Sequence, residues 1–270
     1  DTPGLLSQTR TYTPQLRAVR PLSGTGAYYE AVNPDLDSGV YAQRDEPVQP
    51  RLVDTISSTA TGVLFTGGVY TAVQPFDPVV TRLGQPELCW DGTCDTDLGA
   101  ETVLTGSRWL KTQLATVRTL ETLQGVQKTL VMLPGQYRPD DAQQRIYQQL
   151  TVEIYAPTEA FTDTQPPEIT SVTQDAGTVQ VKVRDALTVN RVLLAYTTGI
   201  NATGVGRWES LDLEPVDAET WQVALPASGE IAYFVQAVDG AGNVAIDAND
   251  GYYHTTVTGY DIYLPIVLRD

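Results

Sequence analysis

The stretch Ile231-Ala232-Tyr233-Phe234-Val235-Gln236-Ala237-Val238-Asp239-Gly240-Ala241-Gly242-Asn243-Val244 reads as a strand running into a tight turn. Aromatic and β-branched residues suit a pleated backbone, and successive side chains on a strand point to opposite faces. Tyr233, Val235 and Ala237 are therefore expected to line a core from a penultimate strand. Asp, Gly and Asn over 239–243 supply the chemistry of the turn.

The same pattern extends upstream. Val179, Val181 and Val183 alternate with Gln180, Lys182 and Arg184. Further strands are expected at Glu168–Val172, Val192–Tyr196, Trp208–Leu213, Thr220–Leu225 and Tyr252–Val257. That makes about seven strands in roughly ninety residues, enough to close an immunoglobulin-type sandwich. Trp221 or Trp208 is expected to fill its centre.

The segment Ala237-Val238-Asp239-Gly240-Ala241-Gly242-Asn243 resembles the final hairpin of bacterial immunoglobulin-like or fibronectin-III-like modules, and Pro166-Pro167-Glu168-Ile169 resembles their start. The resemblance covers residues 166–258 and implies a fold, with almost nothing about function.

Before it, residues 161–167 form a Pro-rich linker that stiffens the chain and stops any strand. Residues 1–160 read as a first β-sandwich domain with an extended N-terminal arm. Strands are expected there at Gly62–Phe65, Val69–Val73, Val79–Leu83, Glu87–Trp90 and Leu130–Leu133. In the run Arg145–Tyr155, Ile146, Leu150, Val152 and Ile154 share one face, and Gln148 is the polar exception on that side. Arg108–Gln124 has helix-like apolar spacing but four threonines, so a helix and a strand pair both fit it. Leu133-Pro134-Gly135-Gln136-Tyr137-Arg138-Pro139 and the strand after it resemble the end of the propeptide-like β-domain of gingipain-type cysteine peptidases. No Cys–His pair accompanies it, so this resemblance implies scaffold and not catalysis. The fold class expected is all-β: two β-sandwich domains, the second immunoglobulin-like, with extended terminal arms.

The 270 residues carry a net charge of −16 and 41% hydrophobic residues. Only Lys111, Lys128 and Lys182 are lysines, and basic residues form no run, which argues against nucleic acid as a partner. No apolar window is long enough to span a bilayer, so no transmembrane segment is expected. The chain opens on Asp1-Thr2-Pro3, as an exported protein does after signal cleavage, and the expected location is secreted or cell-surface. Cys89 and Cys94 bracket Trp90-Asp91-Gly92-Thr93, and a two-residue Asp-Gly hairpin would bring them opposite each other at disulfide distance. Free thiols or half of a zinc site are the competing readings; His254 is the lone histidine.

Catalytic signatures are missing from the sequence. It has no Gly-x-Ser-x-Gly elbow and no His-Glu-x-x-His, and the expectation is a protein that is not an enzyme and needs no cofactor. Calcium is the one metal to consider. Oxygen donors concentrate at Asn33, Asp35 and Asp37, at Asp91, Asp95 and Asp97, and at Asp239, Asn243, Asp247, Asn249 and Asp250. None has EF-hand spacing, and turn formation accounts for each. Tyr28-Tyr29 and Tyr252-Tyr253 could each expose one ring to a carbohydrate. Asn201-Ala202-Thr203 is a glycosylation sequon.

The sandwich should be complete by residue 258, yet residues 259–270 hold a surplus strand. In Tyr260-Asp261-Ile262-Tyr263-Leu264-Pro265-Ile266-Val267-Leu268, the side chains of Ile262, Leu264, Ile266 and Leu268 share one face. Burying them is worth about 6–12 kcal/mol before ordering costs. Pro265 limits the segment to an edge position. It resembles the C-terminal segment of secreted proteins of Chloroflexus-like bacteria. The functional expectation is a structural subunit of an extracellular bacterial filament or surface layer, self-associating by strand exchange through a terminal arm. The alternative is an adhesive or carbohydrate-binding accessory module of a secreted enzyme.

Overall fold

The computed structural model describes residues 4–21, 26–43, 45–81, 104–123, 125–158, 163–226 and 229–256. The expected Cys89–Cys94 disulfide, the Glu87–Trp90 strand, the Asp91, Asp95 and Asp97 group and the surplus strand at 260–268 lie outside them. Within them the chain is all-β. The first half contributes β1 (Leu5–Tyr12), β2 (Leu16–Val19), β3 (Tyr28–Ala31), β4 (Asp37–Tyr41), β5 (Gln49–Ile56), β6 (Gly62–Val73), β7 (Ala115–Thr122), β8 (Gly125–Met132), β9 (Gly135–Arg138) and β10 (Gln143–Pro157). The second contributes β11 (Glu168–Asp175), β12 (Thr178–Arg184), β13 (Val189–Thr197), β14 (Val205–Asp212), β15 (Glu214–Pro215), β16 (Thr220–Ala224), β17 (Ala232–Asp239), β18 (Val244–Asp247) and β19 (His254–Thr255), with one 3-10 turn at Asn249–Gly251.

Two sheets enclose the core of the second half. One has the order β11-β12-β16-β15; the other contains β14-β13-β17-β18, with β19 also on β17. Val179, Val181 and Val183 of β12 meet Val192 and Leu194 of β13 and Tyr233, Val235 and Ala237 of β17, as the alternation predicts. Trp221 packs at the margin of this core. Trp208 does not belong to it at all. It is 2% exposed but points out of the opposite face of its sheet, against Phe65, Phe234 and Tyr253.

That opposite face is also buried. Leu193, Ala195, Phe234, Gln236 and Val238 are all at most 2% exposed. Leu193 and Val238 pack on Leu64 and Tyr155, while Ala195 and Phe234 join a core with Phe65, Tyr70 and Tyr147. The sheet continues into the first half, in the order β1-β10-β6-β14-β13-β17-β18 with β9 on β10. Pairing crosses the Pro-rich linker where Gly68 meets Trp208 and Tyr70 meets Gly206. Farther back on β6, no strand among the described residues pairs with Phe65 on that side. The Gln236 side chain does so instead: its Oε1 accepts from the Phe65 N–H at 2.9 Å, and its Nε2 donates to the Phe65 carbonyl at 2.7 Å.

In the first half, a second sheet with the order β4-β5-β8-β7 packs Leu52, Leu130 and Met132 against Leu150, Val152 and Ile154 of β10. Gln148 marks an irregularity. Tyr147 pairs with Tyr70 and Gln149 with Val69, so Gln148 has no opposite number and bulges into solvent. Arg108–Gln124 is neither a helix nor a strand pair: it holds one strand, β7, which pairs with β8 beyond it, in keeping with the β-branched residues that favour strands.

At Gly206 a Cβ would run into the Tyr70 ring, which lies across the glycine. The Tyr70 hydroxyl also hydrogen-bonds Thr197 at 3.1 Å. Gly206→Val should therefore lower stability by about 1–3 kcal/mol, the usual penalty of overpacking, in denaturant unfolding. Gly206→Val in a Tyr70→Ala background should cost much less than in the parent; equal losses would contradict the close approach.

Candidate functional site

The five oxygen donors grouped in sequence between 239 and 250 divide between two places. The register sets Asp247 opposite Val235, four positions before Asp239 on β17 and so about 13 Å away along the strand.

At the first place three turns converge. Asp239 ends β17, and its Oδ1 accepts from the N–H groups of Ala241 (2.9 Å) and Asn243 (2.8 Å). Asp185 closes the turn after β12 by accepting from the Leu187 N–H at 2.7 Å. Asp163, in the linker, accepts from the Gln165 N–H at 3.0 Å. Carboxylate oxygens of Asp163, Asp185 and Asp239 lie within 4.8 Å of one another. Asn243 Nδ2 holds the group together, donating to Asp239 Oδ2 at 2.8 Å and to the carbonyls of Gln165 (3.2 Å) and Asp163 (3.4 Å). Asp163 Oδ2 is buried with no hydrogen-bond partner.

Burial raises the Asp239 pKa above the ordinary carboxylate value, the Asn243 contacts oppose this, and the Asp185 charge adds to it. The raised value means that the folded state holds the Asp239 proton more tightly than the unfolded chain does. Its contribution to stability is full below the unfolded carboxylate pKa and is lost as pH rises through the folded one. Chemically the cluster is a set of hard oxygen donors, the kind that calcium takes. Asp185→Asn removes one like charge. In chelator at neutral pH it should raise the melting temperature slightly and shrink any increment produced by calcium. A lower melting temperature in chelator would contradict the electrostatic account.

The second place is the seam between the halves. Segment 108–113 faces the turn at 246–251 across a cleft of about 430 Å³, with Glu46, Arg108, Trp109 and Lys111 on one wall and Asp247 and Asp250 on the other. The walls are pinned where the Trp109 N–H donates to the Gly251 carbonyl at 2.7 Å. Four residues without the freedom of glycine adopt positive φ here: Lys111 (66°), Asn249 (50°), Asp250 (53°) and Tyr253 (58°). Such conformations persist only where surrounding contacts impose them. Gln136 braces the backbone of one of them and the side chain of another, donating to the Lys111 carbonyl at 3.0 Å and to the Tyr253 hydroxyl at 2.7 Å. Tyr147 donates in turn to Gln136 Oε1 at 2.7 Å. Arg145 is 7% exposed, and its guanidinium stacks 3.7 Å from the Trp109 ring centre and 4.8 Å from Tyr70. The aromatic faces stand in for a carboxylate partner.

His254, the lone histidine, stacks on Tyr233 and lies 3.4 Å from Asp247, whose carboxyl it holds below the usual range. Asn33, just after β3, holds the connection between β1 and β2 by accepting from the Gln15 N–H and donating to the Thr13 carbonyl, and Asp37 pairs with Arg51. Tyr252 is 52% exposed, whereas Tyr253 is 3% exposed.

Burial raises Tyr12, Tyr155, Tyr233 and Tyr253 to about 12. Their neutral forms stabilise the fold below the ordinary tyrosine pKa of about 10, and that contribution is lost as pH climbs toward 12. Tyrosinate absorbance should therefore rise in two phases, the later one coinciding with loss of folded signal. A single phase near pH 10 with the fold intact would contradict the burial of these hydroxyls.

No protein-family model matches the chain. No curated protein matches it either. Among described residues, no helix is long and apolar enough to cross a membrane. Solved structures similar to part of it include the following two. One is the complex of Porphyromonas gingivalis RgpB pro- and mature domains, with 15% identity and a TM-score of 0.38, covering 59% of this chain and 82% of that one. The other concerns the zymogenic latency of gingipain K from the same organism, with 16% identity and a TM-score of 0.39, covering 59% of this chain and 96% of that one.

Proposed function

We propose that the chain is a non-catalytic structural subunit of an extracellular bacterial filament or surface layer, assembled by strand exchange through a terminal arm. The observation that carries this reading is the completeness of the second sandwich before residue 257. Its core draws on residues 169 to 237, and β18 and β19 already occupy the outer side of β17. Among the described residues, that core is filled without the segment that carries Ile262, Leu264, Ile266 and Leu268. The two sheet orders, β11-β12-β16-β15 and β14-β13-β17-β18, also support the immunoglobulin-like reading of residues 168–258.

An acceptor is at hand. β1 forms one margin of the nine-stranded sheet, and its eight residues pair on one side only among the described strands. A strand from a neighbouring subunit would find unpaired backbone groups there. Such a contact joins different surfaces of two copies, and when the rotation does not close it generates a fibre.

A chain ending at residue 258 separates the possibilities. It should remain a monomer by light scattering and keep its melting temperature, while the full chain forms large assemblies. Equal size for both chains would sink the proposal. The seam cleft favours a second reading, an adhesive or carbohydrate-binding module. In that case the full chain stays monomeric, and saccharide binding is lost on substitution of Arg108 or Asp250.

A further inference from the structure

Asn201-Ala202-Thr203 is the one Asn-x-Ser/Thr triplet in the sequence, and it forms the tip of the loop joining β13 to β14. All three residues are exposed. The loop is closed by an Ile200–Gly206 bridge and by backbone bonds from Asn201 N–H to the Val205 carbonyl and from Gly204 N–H to the Asn201 carbonyl, both 2.9 Å. Gly204 takes the left-handed conformation, φ 76°, that this turn requires.

The asparagine side chain is held by its oxygen alone. Oδ1 accepts from the Thr203 N–H at 2.9 Å, from the Thr203 hydroxyl at 2.7 Å and from the Val205 N–H at 3.1 Å. Among the described residues, Nδ2 makes no hydrogen bond. A carboxamide nitrogen is a poor nucleophile because its lone pair is delocalised onto the oxygen. Loss of an Nδ2 proton moves negative charge onto Oδ1, and three donors aimed at that oxygen stabilise the charge as it develops. Presentation and activation thus coincide on one exposed amide.

We propose that Asn201 is a site of N-linked glycosylation. The donor class is a lipid-diphosphate-linked oligosaccharide, and the partner is a membrane-bound oligosaccharyltransferase on the outer side of the membrane. Nδ2 attacks the anomeric carbon, and the new C–N bond forms as the C–O bond to the diphosphate breaks. The diphosphate leaves with the electron pair, and the Nδ2 proton passes to a base of the transferase. This rests on the extracellular location proposed above.

The test is mass spectrometry of the protein recovered from the surface and cytoplasmic fractions of its native host. The expected result is a surface-fraction mass above that of the chain, with the sugar on the peptide containing Asn201. Asn201→Gln and Thr203→Val should remove it, and Thr203→Ser should retain it, with all three variants keeping the folded circular-dichroism spectrum of the parent. An unmodified Asn201 peptide in the surface fraction would overturn the glycosylation while leaving the location standing. An unmodified chain confined to the cytoplasm would overturn both.

Discussion

Gln236→Leu should destabilise the protein by about 2–6 kcal/mol, because it leaves the buried N–H and carbonyl of Phe65 without partners and each such group costs about 1–3 kcal/mol. Leucine fills most of the space, so the loss reports the hydrogen bonds more than a cavity. Gln236 is fully buried, and its amide completes the ladder of β6 at the place where β14 has turned away. The same exchange at Gln180, which is exposed on β12, should change stability by less than about 0.5 kcal/mol. Urea unfolding of the two variants makes the comparison. Similar small losses at both positions would mean that the seam does not depend on this side chain.

Trp208→Ala should cost about 3–5 kcal/mol, the range for removing a large buried aromatic residue. Its ring lies 5.2 Å from Phe234 and from Tyr253 and 6.4 Å from Phe65, so three rings from both halves lose a neighbour together. Trp221→Ala, at the margin of the other core, should cost clearly less. Because Trp208 sits in the seam, its removal should also loosen the first half. Hydrogen exchange at β6 and β10 should quicken along with that at β13 and β17. Acceleration confined to β13 and β17 would contradict a shared core.

These two residues show what the sequence could and could not tell. The alternation of Val179, Val181 and Val183 with polar neighbours predicts a strand with one wet face, and β12 has one. The same logic applied to residues 233–238 picks out Tyr233, Val235 and Ala237 correctly but passes over the other side. Phe234, Gln236 and Val238 give that strand almost no polar face, which is the mark of a strand covered on both sides. The signal was there, and it required a further layer. Its identity was not legible, because Phe65 stands 171 positions from Gln236 and only the folded chain joins them.

The candidate site divides in a similar way. Asp239 and Asn243 act together because a four-residue turn makes them neighbours, so local spacing finds them. Asp163 and Asp185 reach the same spot from the linker and from the β12–β13 turn, and no spacing rule connects them. Asp247, Asn249 and Asp250 looked like part of the same cluster, but strand pairing carries them toward Arg108 and Lys111. The strand pattern leaves either Trp221 or Trp208 for the centre of the sandwich, and neither fills it. The position of Trp208 on β14 turns it outward, since Trp208 shares with Gly206 the face of the sheet over which the Tyr70 ring lies.

The most direct test of the structural role is electron microscopy of the full chain purified without denaturant from its native source. Filaments or a regular two-dimensional array are the predicted outcome, lost in the chain that ends at residue 258. Uniform single particles of one chain each, unchanged by that truncation, would contradict it.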